Sequence, residues 1–381
     1  MDEVVIVGIG LHPFGRSPGR SGLQQGIVAV RRALEDAGLA WRDIDMAFGG
    51  SRSAGNAAAI AERMGLTGLP FINLYTGCAT GGSALVSAAN AIRSGAARFA
   101  LAVGFDKHER GAFAPDPARN GVPPWVAETG LMVTTQFFGL KLTRYMHEHG
   151  LSRDTLVKVA VKALANGANN PNAWRRRALS FDEVAAGPMV SDPLNKYMFC
   201  SPSEGGAAII LSTAQEARRL GVKPVSVNAS ILRTRRYGSF EVYSSSLPAR
   251  PAATVTEDAA AAAFTEAGIG PEDIDVVQLQ DTEVGAELMH MAESGFCRHG
   301  EQERLIRDEA TAIGGRLPVN TDGGCLANGE PIGASGLRQV YEVCLQLRGQ
   351  AGARQIPGQP RTGFTQVYGA PGLASINILS V

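Results

Sequence analysis

The sequence lacks an excess of charge of either sign. Its 381 residues include 36 Lys and Arg and 36 Asp and Glu, so the formal net charge is zero. A protein that binds nucleic acid or an anionic membrane surface through long-range attraction needs a basic field, which this chain does not have. We therefore expect neither nucleic acid nor a membrane among its partners.

Long apolar runs and clustered cysteines are also missing. No stretch reaches the roughly 18 apolar residues that a membrane-spanning helix needs, and the chain starts with acidic residues where a secretory signal is basic. The five cysteines are scattered, with no C-x-x-C pair: Cys78, Cys200, Cys297, Cys325 and Cys344. This set predicts reduced thiols, a cytoplasmic protein and no metal site in this chain.

What the sequence does contain is an internal duplication. Residues 33–45 read ALEDAGLAWRDID and residues 263–275 read AFTEAGIGPEDID, and the match needs no gaps. Each copy predicts an amphipathic helix that ends at a glycine, then a short turn and a strand. The match continues in two later helices that begin among small residues, at about 81–95 and 333–349, each followed by a strand.

The alternation of strands and helices predicts an α/β protein with mixed, largely parallel sheets covered by helices. We expect two related halves, residues 1–215 and 216–381. The first half contains an insertion at about 105–200, in which helices are predicted near 134–150 and 153–168. Insertions of this length usually serve as lids or subunit contacts.

Cys78 is the candidate nucleophile. It lies in a run of small residues, GCATGGSAL (77–85), directly before a predicted helix. The free amides of a helix N-terminus stabilise an adjacent thiolate, and small neighbours let a thioester approach. A lone cysteine is more often a buried structural residue, so the residues by themselves leave both interpretations open.

Several segments, in order, resemble the motifs of thiolases of the sterol-carrier-protein type. They are the run 77–85, NNP (169–171), CSPSEGGAA (200–208), PVNTDGG (318–324) and GEPIGASG (329–336). The resemblance extends over essentially the whole chain. It implies the five-layered αβαβα thiolase fold, coenzyme A thioesters as substrates and Cys78 as the nucleophile.

The chain departs from this family at the catalytic positions. Glu330 stands where the family has a histidine, QDTE (280–283) stands where it has His-Asp-Cys-Phe, and the last strand lacks the family's cysteine. A carboxylate in an apolar pocket is able to act as a base. We therefore predict that Glu330 replaces the histidine, with a cap on the following helix as the alternative.

Family position suggests roles for further residues. Asp281 and Glu283 are predicted to carry the second proton transfer, and Tyr368 is predicted to donate a hydrogen bond. The predicted contacts of the oxyanion or substrate are Asn320, Gly369 and Gln280. A short basic run, Arg175, Arg176 and Arg177, is typical of a solvated surface, but it is also a candidate for the phosphates of coenzyme A.

The resemblance leaves three functions open. In the first, Cys78 forms an acyl-enzyme, and the protein makes or cleaves a β-ketoacyl-CoA with a bulky or aromatic acyl group. In the second, the protein cleaves a β-hydroxyacyl-CoA by a retro-aldol reaction, as steroid side-chain aldolases do. In the third, it is a non-catalytic thiolase-like subunit. Retention of Cys78 favours the first, because an aldolase does not need an acylated cysteine.

The resemblance also implies partners. The altered active site is similar to that of thiolase subunits that pair with a small zinc-ribbon and OB-fold protein, such as benzoylsuccinyl-CoA thiolase and the steroid aldolases. We expect such a partner to carry any zinc. A homodimer of the family type is expected as well.

Overall fold

The computed structural model describes residues 3–118, 121–239, 252–370 and 372–381. Within them, the strands are β1 (Val4–Gly15), β2 (Met46–Gly50), β3 (Phe71–Asn73), β4 (Ala100–Lys107), β5 (Met189–Ser191), β6 (Leu194–Asn195), β7 (Glu204–Thr213), β8 (Val225–Thr234), β9 (Val276–Leu279), β10 (Thr362–Gly369) and β11 (Leu373–Ser380). The helices are α1 (Gly22–Ala37), α2 (Ala59–Met64), α3 (Thr80–Arg93), α4 (Pro124–Glu128), α5 (Thr134–His149), α6 (Arg153–Ala168), α7 (Phe181–Ala185), α8 (Ala214–Leu220), α9 (Val255–Ala267), α10 (Val284–Glu293), α11 (Gln302–Arg307), α12 (Gly324–Asn328) and α13 (Ser335–Arg348).

The strand order repeats between the two halves of the chain. In the first half the order is β3-β2-β4-β7-β1, and in the second half β9-β10-β11-β8, so that β2-β4-β7-β1 corresponds to β9-β10-β11-β8. In both halves the first pair of this series is parallel and the next two pairs are antiparallel. A short antiparallel pairing of β1 with β8 joins the two sets of strands. The predicted mixed sheets and duplication are confirmed.

The duplicated helices α1 and α9 begin and end through the same local interactions. Each begins with a capping box, in which the side chain of Ser21 or Thr254 accepts a hydrogen bond from the backbone three residues later. Each ends at a glycine with left-handed backbone, Gly38 at φ 66° and Gly268 at φ 68°. The duplication therefore includes the signals that set the length of each helix.

One aspartate in each half ties the strand after the duplicated turn to its parallel neighbour. The Asp45 carboxylate accepts a hydrogen bond of 2.9 Å from the backbone N–H of Phe99. The equivalent Asp275 carboxylate accepts one of 3.0 Å from the backbone N–H of Thr362. These bonds align β2 with β4 and β9 with β10, the parallel pairs whose ends carry the site described below.

Helices and sheets alternate in five layers. Helix α1 packs on β1, β7 and β4, and α9 packs on β8 and β11. Helices α3 and α13 pack on each other and contact strands of both halves, so they form the central layer. An apolar cluster joins these two helices to strands of both sheets. The αβαβα arrangement expected from the family resemblance is therefore present.

The small residues at the start of α3 and α13 let the two helices cross closely. A Cβ atom added to Gly81 would lie 2.9 Å from the backbone nitrogen of Leu337. A Cβ atom added to Gly336 would lie 2.9 Å from the backbone nitrogen of Gly82. Since real Cβ atoms do not approach so closely, the crossing requires glycine on both helices. It brings the loops before the two helices together.

The predicted insertion contributes α4 to α7 as well as the short hairpin of β5 and β6. The helices expected near 134–150 and 153–168 are α5 and α6. No helix in the described part of the chain is long and apolar enough to cross a membrane. The division of the chain near residue 215 stays a proposal, and it falls within α8, which links β7 to β8.

Candidate active site

Cys78 lies in the loop between β3 and α3, two residues before the helix begins. The Thr80 side chain fixes this loop by donating a 2.6 Å hydrogen bond to the Gly77 carbonyl and accepting one of 3.0 Å from the Thr76 N–H. Burial, followed by the negative charge of Glu330, raises the pKa of the Cys78 thiol well above its usual value. The expected helix is present, but the expectation that it stabilises a resting thiolate is corrected: the thiol is the stable form.

Glu330 lies next to Cys78, in the loop between α12 and α13. Its backbone N–H donates to the Ser201 carbonyl at 2.9 Å, and its side chain is fully buried. One carboxylate oxygen accepts a 3.2 Å hydrogen bond from Gln280 Nε2, and the thiols of Cys78 and Cys325 lie beside the carboxylate. Burial raises the pKa of Glu330, so this carboxyl group accepts a proton more readily than an exposed one.

Gln280 links Glu330 to the end of β10. While its Nε2 donates to Glu330, its Oε1 accepts a 2.7 Å hydrogen bond from the backbone N–H of Tyr368. Gln280, Glu330, Cys78 and Tyr368 line the same cavity. Four predicted residues from four separate segments thus meet at one place, and the Gln280 side chain connects Glu330 to Tyr368.

The cavity has a volume of about 1000 Å³, and both aromatic and charged side chains line it. The aromatic residues that line it include Tyr75, Phe113, Phe138, Phe199 and Tyr368. One face of α5 forms a further part of the wall, with residues spaced three or four apart: Thr134, Phe138, Lys141, Tyr145 and Glu148. The inserted region therefore shapes the space in front of Cys78.

The second cavity thiol, Cys200, received no role from the sequence. It lies just before β7, and its backbone N–H donates to the Thr282 carbonyl at 2.9 Å. Burial, followed by the charge of Glu330, raises the pKa of the Cys200 thiol well above its usual value. Its place in the CSPSEGGAA segment was the available signal, because the motif segments that contain Cys78 and Glu330 also reach this cavity.

His290 is another cavity residue that sequence reasoning missed. Its Nδ1 lies 2.9 Å from a carboxylate oxygen of Glu293, three residues later on α10. Its ring stacks on that of Tyr368, with centroids 6.3 Å apart. Burial opposes the charged form of Glu293, but the hydrogen bond from His290 keeps the pKa of that carboxyl below its usual value.

Asp281 and Glu283 do not line the cavity, and their role in proton transfer stays a prediction. The Asp281 carboxylate accepts hydrogen bonds from the backbone N–H groups of Cys325, at 2.6 Å, and Leu326, at 3.3 Å. Glu283 caps α10 and pairs with Lys141 at 3.3 Å. Gln280 and Thr282 face the cavity, and successive side chains of an extended segment point in opposite directions.

Asn320 and Gly369 also support the site from outside the cavity lining. Asn320 has left-handed backbone at φ 54°, and its side chain is used in bonds to the Leu279 N–H, at 2.9 Å, and to Glu287, at 2.8 Å. The oxyanion contact of Asn320 stays a prediction. Gly369 packs on the Cys78 loop, where an added Cβ would lie 2.1 Å from the Thr76 carbonyl oxygen. The oxyanion role of its amide stays a prediction.

The three consecutive arginines differ in their surroundings. The Arg175 guanidinium points inward and donates to the Phe199 carbonyl at 2.8 Å, the Leu326 carbonyl at 2.9 Å and Ser201 Oγ at 2.6 Å. Arg177 is exposed and pairs with Glu183 at 2.7 Å. Donors of Arg175 are thus occupied by the protein, and the phosphate-binding role of the three arginines stays a prediction.

Metal ligands do not cluster in the part of the chain that the structure describes. Among those residues, no group of three or more His, Cys, Asp or Glu side chains is arranged to hold a metal ion.

Comparison with protein families gives two matches that together span most of the chain. Residues 4–199 match the family described as thiolase, N-terminal domain. Residues 241–380 match the family described as thiolase C-terminal domain-like. The matched regions contain Cys78 in the first and Glu330 in the second.

Individual relatives agree with these matches. An acetyl-CoA acetyltransferase of Methanothermobacter thermautotrophicus is 34% identical, with all of both chains covered. Sterol carrier protein 2 of Homo sapiens is 32% identical over 93% of this chain and 68% of its own length. The benzoylsuccinyl-CoA thiolase subunit BbsB of Thauera aromatica is 29% identical over 96% of this chain and 94% of its own.

A solved structure is also similar over the entire chain. The structure titled Ltp2-ChsH2(DUF35) aldolase superposes with a TM-score of 0.87 at 26% sequence identity, covering 100% of this chain and 98% of that one. The family of this chain is established by the order of the layers, the internal duplication, the two matched domains and the relatives of full length. The chain belongs to the thiolase family.

Proposed function

We propose that the protein is a thiolase-type acyltransferase that cleaves or forms a carbon–carbon bond of a β-ketoacyl-CoA through an acyl group on Cys78. The observation that carries this proposal is the buried Glu330 carboxylate beside the Cys78 thiol, in the wall of a large cavity. A thiol and a proton acceptor in contact are the two groups that formation of a thioester intermediate requires.

In the proposed reaction, Glu330 takes the proton from Cys78 as the sulfur attacks the β-carbonyl carbon. The bond between the α- and β-carbons then breaks, and the acyl group stays on Cys78 while the α-carbon leaves as the carbanion of a CoA thioester. Because burial raises the pKa of Cys78, thiolate does not accumulate beforehand. The proton acceptor is needed at the moment of attack, and the raised pKa of Glu330 suits it to that task.

The cavity supports a bulky or aromatic acyl group as the substrate. Its volume of about 1000 Å³ exceeds what a two-carbon acyl group fills, and aromatic side chains line it. Flat aromatic surfaces bind aromatic or polycyclic groups through extensive apolar contact. A relative named as a benzoylsuccinyl-CoA thiolase subunit supports the same substrate class.

Assembly and location are part of the proposal. One relative is named as a subunit and one similar structure carries two protein names in its title, which supports a small partner protein for this chain. We propose a zinc-ribbon and OB-fold partner, a homodimer of the thiolase chain and a cytoplasmic location, with coenzyme A bound as substrate. Arg175, Arg176 and Arg177 are the candidates for its phosphates.

Retro-aldol cleavage of a β-hydroxyacyl-CoA is the second candidate function. The similar structure is titled an aldolase, and the raised pKa of Cys78 is compatible with a reaction in which this thiol is not a nucleophile. In that case Glu330 would accept the proton of the substrate hydroxyl group. Retention of the Cys78 loop and its contact with Glu330 favours the thiolase reaction.

Intact-protein mass spectrometry tests the two candidates. After mixing with acetyl-CoA, hexanoyl-CoA or benzoyl-CoA, the wild-type protein should gain the mass of an acyl group, and Cys78→Ser should not. Cys297→Ala is the matched control, since Cys297 lies outside the cavity lining and should leave the adduct unchanged. A Cys78→Ala protein that still cleaves a β-hydroxyacyl-CoA at the wild-type rate would overturn the thiolase mechanism in favour of the aldolase.

A further inference from the structure

The proposed reaction needs a second proton-transfer group besides Glu330. When the bond between the α- and β-carbons breaks, the α-carbon must receive a proton. Glu330 has taken the proton of Cys78, and Asp281 and Glu283 do not line the cavity. The group that protonates the carbanion has to lie in the cavity wall, close enough to Cys78 to reach the adjacent carbon of the same substrate.

Cys200 meets this geometric requirement. It lines the cavity together with Cys78 and Glu330. The chain around it runs beside Glu330, because the N–H of Glu330 donates to the Ser201 carbonyl at 2.9 Å and Pro202 pairs with Glu330 in a β-bridge. The two cavity thiols are close enough to interact, since a charge on Cys200 would further raise the pKa of Cys78.

The Glu330 carboxylate lies beside the thiols of Cys78 and Cys325, and its charge also acts on Cys200. Its buried Oε2 atom receives no hydrogen bond from a nitrogen or hydroxyl donor in the described residues. An unpartnered buried carboxylate oxygen is costly unless a nearby group shares a proton with it. Cys325, the other thiol beside Glu330, is fully buried and does not line the cavity, so it cannot reach a substrate.

The backbone that carries Cys200 is held on both sides. Arg175 donates to the carbonyl of the preceding residue, Phe199, at 2.8 Å and to the hydroxyl of the following residue, Ser201, at 2.6 Å. The Cys200 N–H is bound to the Thr282 carbonyl at 2.9 Å. Rigid support of this kind keeps a side chain in the geometry that proton transfer requires.

We propose that Cys200 is the second acid–base group of the site and gives its thiol proton to the α-carbon as the carbon–carbon bond breaks. This inference rests on the proposed thiolase function. The Cys78 proton first moves to Glu330, and the electron pair of the broken bond takes the Cys200 proton. Glu330 then returns its proton to the Cys200 thiolate. The net result is an acyl group on Cys78 and a released CoA thioester. Glu330 and Cys200 return to their initial protonation states.

The state of the Cys200 thiol agrees with this role. Burial raises its pKa well above the usual value, so the thiol is protonated before the reaction, as a proton donor must be. The Cα carbanion of a thioester is far more basic than a thiolate, so the transfer is downhill. In the condensation direction, the same atoms act in reverse, with Glu330 removing the Cys200 proton before Cys200 removes one from the α-carbon.

The experiment separates acylation of Cys78 from proton transfer at the α-carbon. The wild-type protein, Cys200→Ala and the control Cys297→Ala are acylated with acetyl-CoA, hexanoyl-CoA or benzoyl-CoA, whichever labels Cys78, and the adduct is followed by intact mass. Acetyl-CoA is then added in D₂O, and deuterium uptake into its methyl group is measured by mass spectrometry. Circular dichroism and thermal melting check that all three proteins are folded.

We expect Cys200→Ala to acylate at a rate within about threefold of wild type, while its deuterium uptake falls by about 10² or more, the usual effect of losing a general acid–base group. The control Cys297→Ala should retain both the acylation rate and the deuterium uptake of wild type. Deuterium uptake at the wild-type rate in Cys200→Ala would overturn the proposal, and so would equal losses of acylation and uptake, which indicate a structural role. Absence of any Cys78 adduct in the wild type would instead refute the proposed function itself.

Discussion

Replacing Glu330 with glutamine removes the proposed base with little change of shape. The glutamine amide has the same length, and its oxygen is able to accept the 3.2 Å hydrogen bond that Gln280 Nε2 now donates to the carboxylate. The backbone bond to Ser201 is unaffected because it does not involve the side chain. The substitution therefore removes the negative charge and the proton acceptor beside Cys78 and leaves the rest of the loop in place.

The loss in acylation rate should be large. Removal of a general base slows a reaction by about 10²–10⁴, which corresponds to about 2.7–5.4 kcal/mol of activation free energy. We expect a value toward the upper end, because burial raises the pKa of Cys78 and little thiolate forms without a base. Glu330→Asp keeps a carboxylate at a greater distance from the thiol, so its acylation rate should lie between those of wild type and Glu330→Gln.

The pH dependence gives a second readout. Burial raises the pKa of Glu330, so the rate of Cys78 acylation in the wild type should decline on the acid side at a pH above that expected for an exposed glutamate. Glu330→Gln should lack this decline, whereas Glu330→Asp should keep it. The measurement is the rate of adduct formation by quenched intact mass spectrometry between pH 5 and pH 9.

Glu330→Gln should not lower thermal stability, although it lowers the acylation rate. The pKa of Glu330 is higher in the folded chain than in the unfolded chain, so its contribution to stability is full at low pH and is lost as pH rises through the folded pKa. Glutamine stays neutral, and Glu330→Gln should melt at or above the wild-type temperature at pH 8. If Glu330→Gln acylates Cys78 at the wild-type rate and with the wild-type pH profile, the assignment of Glu330 as base is refuted.

Two further predictions concern residues that support the site. Arg175→Ala should lower the free energy of unfolding by about 3 kcal/mol or more in urea titrations, because three buried hydrogen bonds of a charged group are lost. Arg176→Ala is the exposed control. If Arg175→Ala instead raises the KM for acyl-CoA and leaves stability unchanged, the result would favour a phosphate site at Arg175. Gly369→Ala should reduce Cys78 acylation by about tenfold or more, because the new Cβ would lie 2.1 Å from the Thr76 carbonyl oxygen and displace the Cys78 loop. Gly314→Ala, where the added Cβ meets open space, should leave acylation unchanged, and an equal effect of both substitutions would contradict the steric reasoning.

Much of the fold was predictable because local signals specify it. The glycines that end α1 and α9 and the small residues that begin α3 and α13 set element boundaries through short-range sterics and hydrogen bonds. Their repetition along the chain predicted the duplicated architecture. The contact of Cys78 with Glu330 was predictable from motifs, since both belong to segments that resemble the loops of one site.

The position of a residue relative to the cavity was not predictable where side-chain direction or long-range packing decides it. Along 280–283 the residues alternate between the cavity and the protein interior, and the sequence does not say which pair faces the cavity. Arg175 resembles a surface residue by type, yet carbonyl groups from Phe199 and Leu326, far apart in sequence, enclose its guanidinium. Cys200 was overlooked because its nearness to Cys78 depends on tertiary packing and not on sequence spacing.

The face of α5 that borders the cavity lets the choice of acyl group change independently of the acylation chemistry. Thr134, Phe138 and Lys141 lie on a helix of the inserted region, whereas Cys78 and Glu330 lie in loops held by the duplicated core. Larger or smaller side chains on this helix face would alter the space for the acyl group without moving the reacting atoms. A library restricted to these helix positions should therefore yield variants of altered acyl preference that keep the same acylation chemistry.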